Sequence, residues 1–140
     1  MNRVKITNRR TKRNLKEVIR VLDGVIEHNK RFNMYNWASR RNVEDCNTSA
    51  CAIGYAAQDS WFNYHGLYLT KDGYYERLYP TYAGHQEFKA LSVFFAISLK
   101  QAEYLFYAGS YNDTGNGITA DRVRRRINYI LKRGFPESIL

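Results

Sequence analysis

The sequence predicts an α+β domain, mainly helical, with about five helices and one tyrosine-rich β-hairpin between the second and third. Three observations predict it. Apolar residues recur at helical spacing near both ends of the chain, a Lys71-Asp72-Gly73 turn separates two tyrosine-bearing runs, and helix start and stop residues bracket the periodic segments.

Residues 1–11 read as a basic arm. Over residues 12–30, Leu15, Val18, Ile19, Leu22, Val25 and Ile26 follow the i, i+3, i+4, i+7 rule of an amphipathic helix. Residues 31–46 form an aromatic loop without period. Asn47 or Thr48 can cap a second helix running to about Gln58, whose Ala50, Gly54 and Ala57 would let neighbours approach closely. Gly66–Thr70 and Tyr74–Tyr79 then make the hairpin, closed by Pro80. The apolar run Leu91–Ile97 predicts a buried third helix over about 85–97. Ser98 with Gln101 is a capping box for a fourth helix reaching about Tyr107. Thr119 caps the last helix, which Gly134 and Pro136 stop. One globular domain over 12–134 with a short tail at 135–140 is the economical organisation.

A chain of 140 residues with 44% hydrophobic content can build a core without a disulfide or metal. No apolar run nears the ~20 residues that span a bilayer. The charged start Met1-Asn2-Arg3-Val4-Lys5 does not read as a signal peptide, so a cytoplasmic protein with reduced Cys46 and Cys51 is expected.

Charge is the sharper clue to partners. Residues 1–41 hold twelve Lys/Arg against three acids, which is the whole net charge of +9; the remainder balances ten against ten. A second cluster lies on the last helix at Arg122, Arg124, Arg125, Arg126, Lys132 and Arg133. Clustered cations concentrate phosphates in a salt-sensitive way, although a solvated charged face is the plainer use of such residues. The basic surface expected is Arg9, Arg10, Arg13, Arg20, Arg122, Arg125 and Arg126.

The expected start of the second helix is the candidate ligand site. Free amides and the helix dipole would receive a phosphate there, with Trp37 stacking on a base and Arg40, Arg41, Asn47, Thr48 and Ser49 around it. The competing reading is a Thr48 that caps its own helix and a Trp37 that is core. Cys46 and Cys51 with His65 and His85 lack zinc-site pairing, and no histidine is fixed beside either thiol as a base. Buried structural thiols are expected. The loop from Asn112 to Asp121 does not reach a glutamate at the twelfth position, so it is not a calcium loop. No phosphate loop, nucleophile elbow or zinc-protease motif is present. No cofactor is expected.

The segment Phe32-Asn33-Met34…Trp37, followed by Cys46, Thr48, Ala50, Cys51, Gly54 and Ala56, resembles a motif of small uncharacterised phage and bacterial proteins. That motif is Phe-[Asn/Asp]-Met-x-x-Trp, then Cys-[Gly/Asn]-Thr-x-Ala-Cys-x-x-Gly-x-Ala. Phe94-Phe95-Ala96-Ile97-Ser98, Ala102 and Leu105-Phe106 are similar to their helix junction. The resemblance implies a shared fold and a phage context, hence a host cytoplasm, but brings no activity with it.

The function expected is a non-enzymatic, phage-type accessory protein, of anti-defence kind, that binds a nucleotide ligand or nucleic acid. One alternative is an inhibitor that blocks a host nucleic-acid-handling protein directly. Another is a small hydrolase or nuclease using Glu44, Asp45 and histidines. The tyrosine-rich hairpin offers an edge for homo-oligomerisation.

Overall fold

Asn8 starts the first helix, α1 (Arg9–Glu27), by accepting hydrogen bonds from the Arg10 and Thr11 amides. Its stripe of Leu15, Val18, Leu22 and Val25 is buried. The computed structural model describes residues 2–39, 49–72, 77–113 and 117–140. These residues form six helices and seven short strands.

The last helix, α6 (Ala120–Arg133), starts on the Thr119 hydroxyl and buries Val123, Ile127 and Ile130 against α1. The two helices run antiparallel. Asp23, late in α1, meets Arg124, early in α6, at 3.6 Å. At the other end β1 (Arg3–Val4) pairs antiparallel with β7 (Phe135–Pro136). The basic arm and the tail are therefore joined to each other and to the domain. Gly134, at φ 88°, makes the join: a Cβ there would overlap the Val4 carbonyl.

Between them, α4 (Glu87–Phe95) and α5 (Leu99–Phe106) form a helical hairpin. Ala96 in the left-handed region closes α4, and the expected Ser98–Gln101 capping box opens α5. Phe62, Phe94, Phe95 and Phe106 build an aromatic core, with successive ring centroids 5.0–5.7 Å apart. The Thr11 hydroxyl donates to the Phe95 carbonyl and the Asn14 amide to the Phe94 carbonyl. These buried polar residues satisfy carbonyls that the end of α4 leaves free.

The expected second helix differs in place and length. Ser49–Ala50 is strand β3, paired with β2 (Ala38–Ser39), so the chain is extended where a helix start was expected. The helix α2 is Ala52–Ala56, with Cys51 as its cap: the Gly54 amide donates to Cys51 Sγ at 3.4 Å. A new helix, α3 (Ser60–Tyr64), follows because Asp59 caps it through the Trp61 amide. Pairing of Ser49–Ala50 with β2 displaces the helix start expected there; Asn47 and Thr48 lie outside the described residues.

The hairpin comprises β4 (Tyr68–Asp72) and β5 (Arg77–Tyr82), between α3 and α4. Pro80 does not close it; Pro80 sits within β5 opposite Leu69. The strand order is β3-β2-β5-β4, and β6 (His85–Gln86), which takes the place of the first turn expected of the third helix, also pairs with β5. Thus β4 is an edge.

Candidate anion-binding surface

Trp37 reaches its place through backbone contacts on both sides. The Cys51 amide donates to the Asn36 and Trp37 carbonyls, and Cys51 Sγ–H points to the Trp37 carbonyl at 3.7 Å. Gly54 lies under the same carbonyl, where a Cβ would overlap it. The indole packs on Phe88, centroids 5.0 Å apart, and lines a pocket of about 310 Å³ with Met34, Glu87 and Tyr107. Among the described residues, no cation lines that pocket. Ser49 is half-buried in β3. Arg40, Arg41, Asn47 and Thr48 are outside the described residues.

The start of α2 is a poor anion receiver. Ala52, Ile53 and Gly54 are fully buried, and the Gly54 amide is taken by the Cys51 sulfur. Burial pushes the Cys51 thiol up from 9.0 to about 11, because the thiolate would lose its hydration. Its burial agrees with the expectation of a buried thiol.

The expected basic residues serve several purposes. Arg126 lies 3.6 Å from the Tyr111 ring centroid and 4.4 Å from that of Tyr104, and donates to the Tyr104 and Ser110 carbonyls. Arg122 lies over the other side of the same neighbourhood, 5.6 Å from the Tyr111 centroid. Arg20 pairs with Glu17 and Asp59, each at 2.8 Å, and Arg125 with Asp121 at 3.0 Å. Arg10 donates to the Val93 carbonyl; Arg13 donates to Asn14 and covers Trp61. Arg9 is exposed at the first position of α1 and has no ion pair among the described residues.

One group of cations outside these contacts gathers where β1 pairs with β7. Arg3 and Lys5 from the arm meet Lys132 and Arg133 from the end of α6 around a shallow hollow of about 850 Å³. Tyr129, 50% exposed, also lines the hollow, and among the described residues no carboxylate does. Arg3 stands 4.6 Å from the Tyr129 ring centroid and donates to the Gly134 carbonyl, so its position is fixed. Lys132 and Arg133 partly offset the negative end of their own helix dipole. Four cations without an ion pair among the described residues nevertheless leave a net positive field. Arg9 begins α1 at this same end.

Sequence reading missed Arg3, Lys5 and Tyr129 as site residues. The chain separates Arg3 and Lys5 from Lys132 and Arg133 by nearly its whole length, and the β1–β7 pairing unites them; Tyr129 is on α6 itself, but its place beside Arg3 shows only in the fold. The described residues contain no cluster of three or more His, Cys, Asp or Glu able to hold a metal. No described helix is long and apolar enough to cross a membrane. No protein-family model, curated protein or solved structure matches the chain.

Proposed function

We propose that this protein is a non-enzymatic, phage-type accessory protein that binds nucleic acid at the surface formed by Arg3, Lys5, Tyr129, Lys132 and Arg133. One observation carries the reading: two cation pairs from opposite ends of the chain converge around an exposed tyrosine, with no carboxylate among the described residues that line the hollow. Phosphates take the cations, and the exposed ring offers a face for an unpaired base. The shallow, open form suits a strand passing over it. The phage context, and with it an anti-defence role, rests on the motif shared around Trp37 and Cys51.

Fluorescence anisotropy with labelled single-stranded and duplex oligonucleotides over a salt series tests it. Engagement of about four phosphates gives a log–log salt slope near −3 for single strands. No binding at low salt to either form overturns the reading.

A second reading, direct blocking of a protein partner or self-association, is favoured by the edge strand β4 and the exposed Tyr64 (87%) and Tyr68 (52%) beside it. Light scattering of wild type and a Y64S/Y68S variant distinguishes it. Loss of a complex in the variant supports it, and a monomer with no protein partner excludes it.

A further inference from the structure

Helix α1 carries a glycine that its own structure does not require. Gly24 lies in the interior of a 19-residue helix, where glycine is a poor helix former. Its φ is not among the positive values of the chain, and a Cβ built on it would meet nothing within 4 Å among the described residues. Neither a turn nor a close neighbour accounts for it.

Gly24 instead lines a groove of about 810 Å³ between α1 and the α2–α3 segment. Val21 and Gly24 give one wall a strip free of bulky side chains, over the buried Val25, because the missing side chain exposes helix backbone. Past that strip, Lys30 and Arg31 enter the same groove. Lys30 Nζ lies 5.8 Å from the Tyr55 ring centroid, and the Tyr55 hydroxyl donates to the Arg31 carbonyl. Arg20 also lines the groove, but Glu17 and Asp59 neutralise it. The positive charge left for a ligand is therefore at one end. The volume falls within the usual range for small-molecule sites.

We propose that this groove binds a nucleoside phosphate, its base lying on the Val21–Gly24 strip and its phosphate held by Lys30 and Arg31. The site is separate from the Arg3–Arg133 surface and does not depend on it. Gln58 offers its amide oxygen to the base edge, since its Nε2 already donates to the Gly54 carbonyl.

Calorimetric titration of the full chain with adenosine and guanosine 5′-monophosphates tests the proposal, with adenosine and inorganic phosphate as partial probes. One nucleotide binds, and each partial probe binds at least about tenfold more weakly. Gly24→Leu, which fills the strip but keeps a helix-compatible residue, lowers affinity at least about tenfold, and Lys30→Ala with Arg31→Ala does the same. Gly24→Ala raises the melting temperature while weakening binding, and it carries the test if the leucine variant does not fold. Lys132→Glu with Arg133→Glu leaves nucleotide affinity unchanged, which separates this site from the nucleic-acid surface. Absence of binding by wild type at about 1 mM of either nucleotide, or unchanged affinity in the folded Gly24 variants, overturns it.

Discussion

The Arg126 guanidinium lies 3.6 Å from the centroid of the Tyr111 ring and is held there by hydrogen bonds to the Tyr104 and Ser110 carbonyls. Tyr111 is itself buried, and its hydroxyl donates to the Leu105 carbonyl at 2.7 Å. An arginine on the outer half of an amphipathic helix has thus become a clamp between α6 and the turn after α5.

Removing that clamp takes the guanidinium donor from the Ser110 carbonyl, leaves the Tyr104 carbonyl with the Ser110 hydroxyl, and deprives two rings of a cation. Arg126→Ala is expected to lower unfolding free energy by about 2–4 kcal/mol, measured by urea denaturation. Arg126→Lys recovers less than half of it, because an ammonium cannot stack and bridge at once. A change under about 0.5 kcal/mol contradicts the clamp.

Arg20 provides the contrast. Its side chain is 49% exposed although it touches two carboxylates, so solvent screens both pairs. Arg20→Ala is expected to cost less than about 1 kcal/mol in the same assay.

Cys51 sets an alkaline limit. Burial keeps its thiol protonated to about 11 in the folded chain, against 9.0 when unfolded. Between those values the unfolded chain releases a proton that the folded chain retains, so stability falls as pH rises from about 9 to about 11. The loss approaches about 2–3 kcal/mol. Tyr111, whose hydroxyl burial also raises from 10.0, extends the decline. Cys51→Ser preserves a cap atom for Gly54 and is expected to remove the part of the slope between pH 9 and 11. Denaturation curves across that range check it.

Gly54 fixes the strand–helix join beneath Trp37. Gly54→Ala places a methyl on the Trp37 carbonyl, which cannot retreat without breaking its bond from the Cys51 amide. A loss of at least about 3 kcal/mol, or failure to fold, is expected in a thermal melt.

These residues show where sequence reading reaches and where it stops. The faces of α1 and α6, the Ser98–Gln101 capping box and the Thr119 cap follow from local spacing, and each was legible; the hairpin was legible in kind but not in register, since Lys71 and Asp72, expected in its turn, pair with Leu78 and Arg77 in the strands. The start of α2 was not, because β2–β3 pairing is non-local. Nor could local spacing tell Arg126, enclosed by tyrosines, from Lys132, left exposed. Small residues around Gly54 did signal close packing, of α2 on α1 and, at Gly54 itself, on the Trp37 backbone.

The most direct test of the account is the salt dependence of oligonucleotide binding by wild type and by Lys132→Glu/Arg133→Glu. The account predicts single-strand affinity falling with salt at a log–log slope near −3, and a charge-reversed variant that keeps its fold but loses at least about tenfold in affinity. Equal binding by the two proteins, or affinity indifferent to salt, would contradict it.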